Sequence, residues 1–329
     1  MAQKRALATD PGQLRSPLTR RSHELAVILV NWRNEQQTLR CARAVFSWQT
    51  LKPSLIVVAN ESNEASKRIL TEVLRPDQLI CSPVNLGYGG GNNLGVRRAL
   101  SGNQEFVLLL NSDAEISEAA VVRLLERLQA NPEISILGPV IHEGGNGGGQ
   151  CLIGGRDIAL SPATRIAWDP NDLKSVPGYP LHEVDYVSGT IFLARRELFE
   201  QIGLLDERFF FSGEIADLCK RAKDRGHRIC VDLSVEAGHD TRESVGPLRE
   251  TLYTYYSLRN RFLYVRKHYP TEKFKYFTYW GSRGVVQLAR TLRAPKPAKA
   301  RAVLLALLHG GINEFGNQNA KFNKGRSDR

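Results

Sequence analysis

Apolar and polar positions follow two different rhythms along the N-terminal half of the chain. Residues 24–32 (ELAVILVNW), 54–60, 78–83, 105–111 and 134–141 are short apolar runs without alternation, which predicts strands covered on both faces. Between them, 35–48, 62–74, 92–100 and 117–130 carry helical periodicity. In the last, Val121, Leu124, Leu125 and Leu128 share one face and Ser117 is placed to cap the N-terminus. Regular alternation of strand and helix predicts an α/β chain, doubly wound around a mostly parallel sheet.

After 141 the rhythm breaks. GGNGGG (144–149) opens a loop-rich stretch to about Pro180, and VDYVSGTIFLARR (184–196) starts a second unit. That unit continues through ELFEQIG, the aromatic run FFFSGE, a helix at 215–224, a strand ending at His239 and an aromatic-rich helix at 250–268. Two further helices, near 284–293 and 298–309, are separated by PKP. AVLLALL in the second falls far short of the roughly 20 apolar residues that span a bilayer, so it lies on a membrane or packs on the body without crossing. The predicted organisation is a disordered basic tail (1–22), a body (23–268) in two halves (23–143 and 144–268), and a basic helical C-terminal extension (269–329).

Composition changes this picture in two places. The net charge of +11 invites a nucleic-acid reading, but +4 of it lies in 1–22 and +8 in 283–329, which leaves the body close to neutral. Basic ends fit an anionic membrane surface better than a body shaped to follow a duplex; solubilising termini are the plain alternative. The five cysteines are odd in number and lack C-x-x-C spacing, so neither a disulfide framework nor a zinc site is predicted, and a reducing compartment follows. Residues 1–21 contain no apolar stretch of the signal-peptide kind.

Candidate chemistry clusters where predicted strands end. VLLLNSDAE (107–115) stops abruptly at Asn111, Ser112 and Asp113, and ligands of open α/β sheets sit beyond carboxyl ends of strands. Asp113 can hold a divalent ion that neutralises a diphosphate, or simply cap the next helix. NLGYGGGNNLG (85–95) offers close backbone approach and free N–H groups to a phosphate, with Asn92 and Asn93 as helix caps, or else is a flexible connection. His239 ends a late strand and is a candidate second metal ligand, although a lone histidine is more often structural. Glu214 and Asp217 share a helix face at its start, which suits a general base or ordinary dipole electrostatics.

The ordered series VNW, VVAN, NLGYGGGNNLG, LLLNSDAE, DYVSGTIFLARRELFEQIGLLDERFFFSGEIADLCKRA, GH and YYSLRNR resembles bacterial family 2 glycosyltransferases of the GT-A fold, in the rhamnosyltransferase-like branch that builds cell-surface polysaccharides. The resemblance spans 24–268 and implies a mixed, mostly parallel sheet. It also implies an inverting enzyme that uses Mg²⁺ or Mn²⁺ and a nucleotide-diphosphate sugar, dTDP- or UDP-linked, to modify a saccharide or lipid-linked acceptor. The cysteines and the basic ends give the matching expectation of a cytoplasmic protein that can sit peripherally on the inner face of the plasma membrane, and the near-neutral body that of no nucleic-acid partner. By position the resemblance makes Asp113 and His239 the metal ligands. It assigns donor contacts to Asn31, Asn60, Glu61, Asn85, Gly87, Gly90, Gly91, Asn92, Asn93, Asn111 and Ser112, and places Gly189 and Thr190 near donor sugar and acceptor. Arg259 and Asn260 match an R-N pair that is structural or phosphate-facing.

Two positions depart from the family pattern. Ala59 stands where the family has the Asp that contacts the nucleobase, and Ile215 where it has the usual base of E-D-x-D-L-C. Glu214 is then the preferred base, its longer side chain offsetting a one-position displacement, with Asp217 as alternate. A degenerate member acting as a binding subunit is the non-enzymatic rival. A nucleotidyltransferase is the enzymatic one, although VNWRNEQQT lacks the expected glycine-rich loop after the first strand.

Overall fold

The structure is a computed structural model, which describes residues 24–144, 150–162, 164–169, 180–240, 246–294 and 296–322. The tail expected over 1–22 and most of GGNGGG lie outside these residues. In chain order the strands are β1 (Leu25–Asn31), β2 (Ser54–Asn60), β3 (Leu79–Ser82), β4 (Phe106–Asn111), β5 (Ala114–Glu115), β6 (Ile134–Glu143), β7 (Cys151–Gly155), β8 (Arg165–Trp168), β9 (Leu181–Glu183), β10 (Ile191–Arg195) and β11 (Arg228–His239). The helices are α1 (Glu35–Phe46), α2 (Glu64–Thr71), α3 (Gly87–Leu100), α4 (Glu118–Ala130), α5 (Arg196–Ile202), α6 (Glu214–Lys223), α7 (Pro247–His268), α8 (Lys273–Arg293) and α9 (Pro297–Ile312).

The sheet runs β3-β2-β1-β4-β10-β6-β11-β5. β1 to β4 are mutually parallel, as the unbroken apolar runs require, but β10 inserts antiparallel between β4 and β6. The sheet is therefore mixed. Side chains alternate across it: Leu25, Val27 and Leu29 face a core closed by α1 and α4, while Ala26 and Ile28 face α3. Ser117 accepts a hydrogen bond from the Ala120 N–H and starts α4 as expected, with Val121, Leu124 and Leu128 buried.

α3 differs from expectation. It begins at Gly87 rather than at 92, so Asn92 and Asn93 lie inside a helix and cap nothing. Its glycines let it press onto the sheet: a Cβ at Gly95 would lie 2.4 Å from Ile28 Cγ2. A third core joins α7, α8 and α9 to Ile158, Phe209 and Phe210, so the C-terminal helices pack on the body rather than trailing from it. Among the described residues no helix is long and apolar enough to cross a membrane.

Candidate active site

Strand register brings three polar side chains to one sheet edge. β5, just beyond Asp113, pairs antiparallel with the end of β11, setting His239 opposite Ala114. β11 also runs parallel to β6, setting His239 beside Glu143. The imidazole consequently lies between two carboxylates, with Nε2 3.3 Å from Asp113 Oδ1 and Nδ1 3.8 Å from Glu143 Oε1. Asp113 and His239 are both buried, and neither ring nitrogen makes a well-formed hydrogen bond. Burial alone would depress the imidazole pKa, but the two carboxylates outweigh it and push it up to about 9. Arg165 pairs with Glu143 at 2.7 Å, and Arg249 Nη1 lies 4.0 Å from Asp113 Oδ2. Sequence reasoning missed Glu143 because its strand was ended at 141, before the polar pair His142-Glu143.

These donors suit a hard divalent ion. Asp113 offers an oxygen and His239 an unsatisfied, buried nitrogen at the spacing of two neighbouring ligands, while Glu143 meets the opposite ring nitrogen. The three side chains do not converge on one point, and among the described residues no group of three or more His, Cys, Asp or Glu could close a metal shell. Two protein ligands would leave the other positions of such an ion to oxygens from outside the chain.

The second half of the site is the start of α6. Residues Phe210, Ser212 and Gly213 adopt left-handed backbone (φ 65°, 72° and 101°), a strained approach for two non-glycine residues. Asn260 holds it by donating to the carbonyls of Phe209 (2.9 Å), Phe211 (3.0 Å) and Ser212 (2.5 Å). Arg259 donates to the carbonyls of Arg208 (3.2 Å), Phe209 (3.0 Å) and Gly316 (2.7 Å), and is fully buried over the Tyr256 ring. The R-N pair is thus a clamp on the loop, and its phosphate-facing alternative falls away.

That loop delivers Glu214 into a cavity of about 450 Å³, lined also by Tyr88, Asn111, Tyr186, Phe211, His239 and Tyr253. Glu214 is 4% exposed and its Oε2 has no hydrogen-bond partner, so burial pushes its carboxyl up to about 7. Gly189 and Thr190 line the same cavity, and Ile215 packs against Gly189. Asp217 does not reach it. Fully buried, Asp217 accepts from Arg221 Nε (3.0 Å) and His268 Nε2 (2.9 Å) and pairs with Lys267 (2.6 Å). Burial would raise its carboxyl, but these three partners hold it below the usual range. The alternate assignment of Asp217 as base is corrected accordingly: its lone pairs are committed to structure.

The proposed donor contacts fare differently from one another. Asn111 lines the cavity, with its N–H bonded to the Thr190 carbonyl at 2.9 Å; Ser112 is half-buried outside it. Asn60 and Asn85 staple the turn into α3: Asn60 accepts from the Leu86 N–H (2.8 Å) and donates to the Gly87 carbonyl (3.1 Å), while Asn85 accepts from the Gly87 N–H (2.8 Å). Asn31 accepts from the Thr38 hydroxyl at 2.8 Å, and Glu61 from Trp32 Nε1 at 2.9 Å. Gly87, Gly90, Gly91, Asn92 and Asn93 are buried; Asn92 donates to the Tyr88 carbonyl (2.9 Å) and Asn93 to the Leu205 carbonyl (2.9 Å). In this structure the glycine-rich segment expected to approach a phosphate packs a helix tightly on the sheet, a use that demands the same small residues. Ala59 is wholly buried in β2.

Comparison with known proteins gives the family and the fold. Residues 26–203, just over half of the chain, match the sequence model of "Glycosyl transferase family 2". The low-salt glycan biosynthesis hexosyltransferase Agl10 of Haloferax volcanii is 29% identical over 73% of this chain and 75% of its own length. The N-acetylglucosaminyl-diphospho-decaprenol L-rhamnosyltransferase of Mycobacterium tuberculosis is 26% identical over 62% of this chain and 72% of its own. Among solved structures, a Pyrobaculum calidifontis mannosyltransferase in complex with GDP-Man and Mn²⁺ superposes with a TM-score of 0.52 at 14% identity, covering 91% of this chain and 77% of that one. That likeness establishes the GT-A-type fold.

Proposed function

The chain belongs to glycosyl transferase family 2, and from that membership we propose an inverting, metal-dependent transferase that moves a hexose from a nucleotide-diphosphate sugar to a saccharide or lipid-linked acceptor. The observation that carries the mechanism is the Glu214 carboxylate, its Oε2 without a hydrogen-bond partner, buried in the same cavity that His239 lines beside Asp113. Glu214 accepts the proton of the acceptor hydroxyl as that oxygen forms its bond to the anomeric carbon. The bond from that carbon to the diphosphate breaks on the opposite face, which inverts the centre. A carboxyl titrating near 7 is ionised in useful amount at neutral pH yet basic enough to take the proton. Asp113 and His239 would hold the divalent ion, the ring giving up its Nε2 proton to do so, with the Glu143 carboxylate on the Nδ1 side of the ring. Such an ion, when bound, would neutralise the departing diphosphate. Tyr186, Phe211 and Tyr253 offer apolar faces to sugar rings. A cytoplasmic location fits the nucleotide-sugar donor and the five free cysteines.

Nucleotide release from a panel of UDP- and dTDP-sugars, with and without Mn²⁺, tests the reading. Release is expected only with Mn²⁺, is abolished by Asp113→Ala, and falls about 10²–10⁴-fold in Glu214→Gln. Ile215 and the buried Ala59 favour a second reading, a binding subunit that has lost turnover. Mn²⁺-dependent stabilisation by a nucleotide-sugar with no release under any acceptor would select it.

A further inference from the structure

The C-terminal hairpin carries a face that nothing in the fold covers. α8 and α9 are joined through residues 294–296 and pack antiparallel, close enough that a Cβ at Gly284 would lie 2.5 Å from Leu307. At roughly 100° per residue, Phe274, Val285 and Leu292 fall on one line of α8, and Leu304, Leu308 and Ile312 on one stripe of α9. Both lines are rotated in the same sense from the Gly284–Leu307 contact, which in an antiparallel pair places them on one side of the hairpin. All six are more than half exposed, from Leu308 at 52% to Phe274 at 86%. Their count and size are unusual for solvent.

The charge around this face selects its occupant. Residues 273–312 contain eight Lys or Arg and no Asp or Glu. Arg290, Arg293, Lys296 and Arg301 are all exposed. A second copy of the chain would set eight positive charges against eight, so self-association is disfavoured, whereas an anionic bilayer satisfies both the charges and the apolar stripe. The hairpin also adjoins the cavity: Lys299 in the first turn of α9 pairs with cavity-lining Glu250 at 2.5 Å, and cavity-lining Arg261 stacks on Trp280 of α8 at 3.8 Å.

We propose that the outer face of the α8–α9 hairpin docks in the plane of an anionic membrane, its apolar stripe inserted among acyl chains and its arginines and lysines on lipid phosphates. This deepens the transferase reading, since it seats the cavity beside the layer from which a lipid-linked acceptor would arrive. Sedimentation of the full chain with phosphatidylcholine vesicles, with and without about one third phosphatidylglycerol, tests it. Binding is expected on the anionic vesicles at least about tenfold above the neutral ones, and Leu304→Asp/Leu308→Asp and Arg293→Gln/Arg301→Gln are each expected to weaken it about tenfold. Both variants should keep donor hydrolysis in solution, which reports their folding. Equal binding to both vesicle types, or undiminished binding by the Leu304/Leu308 variant, overturns the proposal, as does a stable dimer in solution that Leu308→Asp dissolves. Glu214→Gln should bind vesicles like the parent; docking by a parent chain that releases no nucleotide indicts the transferase reading alone, and release by a parent chain that does not dock indicts only the docking.

Discussion

Glu214 and Asp217 lie one helical turn apart on α6, yet their surroundings drive them in opposite directions. Asp217 has three cationic or donor partners in a dry site; Glu214 Oε2 has none. Removing Asp217 takes the carboxylate from Arg221 and His268 and leaves Lys267 only Asp206, and breaking buried pairs of this kind costs up to about 3–5 kcal/mol. Its depressed pKa makes that contribution present above the unfolded carboxyl's range and lost as pH falls through the folded value. Glu214 has the opposite sign. Its folded pKa is raised from 4.5 to about 7, so the folded chain holds the proton longer than the unfolded one, and stability falls as pH rises through that window. The cost of keeping it ionised above pH 7 is on the order of 3 kcal/mol. Glu214→Gln should therefore be more stable than the parent at pH 8 by up to that amount, with the gain vanishing toward pH 4.5, whereas Asp217→Asn should be less stable across neutral pH. Urea titrations at two pH values check both, and a Glu214→Gln advantage over the parent no larger at pH 8 than at pH 5 would remove burial as the cause of its shift.

The loop before α6 and the start of α3 behave as one element. Tyr88 N–H donates to the Phe210 carbonyl at 2.8 Å, and Gly87, at φ 72°, leaves no room for a side chain because a Cβ there would lie 2.2 Å from that same oxygen. Asn260 closes the loop from the other side. Asn260→Ala takes the donor from the Phe211 and Ser212 carbonyls, at about 1 kcal/mol each, while Phe209 keeps Arg259, so a stability loss of about 2 kcal/mol and at least about a tenfold drop in turnover are expected, with donor affinity nearly unchanged. Full turnover in Asn260→Ala or Gly87→Ala would mean that the loop holds itself. None of this coupling was legible in the chain, for physical reasons. The apolar runs of β1 and β4 and the Ser117 cap are local, and a window of a few residues contains them. Arg259 and Asn260 stay open between a structural and a phosphate-facing role in the sequence because their partners lie some 50 residues away. The unit opening at 184 was visible, but the insertion of its strand 191–195 between β4 and β6 was not, since pairing is decided by cores that close only in three dimensions.

Across the whole molecule, the site is assembled from parts that meet only when the sheet is complete. Asp113 follows β4, Glu143 ends β6, His239 ends β11, and Glu214 opens α6, whose loop is clamped from α7. No single element holds two of the four, so a ligand that bridges them is linked to folding of the entire chain. An ion and nucleotide present at about 100 times their dissociation constant should then stabilise the protein by about 2.7 kcal/mol. The chemistry of the pair predicts how that gain divides. Asp113→Ala or His239→Ala removes a ligand and should abolish the Mn²⁺-dependent part, while Glu214→Gln, on the acceptor side of the cavity, should keep it. Thermal melts with Mn²⁺ alone, UDP or dTDP alone, and both together resolve the contributions without requiring turnover. If Asp113→Ala were stabilised by Mn²⁺ plus nucleotide as strongly as the parent, the ion would be held elsewhere, and the convergence of β4, β6 and β11 on His239 would be a matter of folding rather than of diphosphate binding.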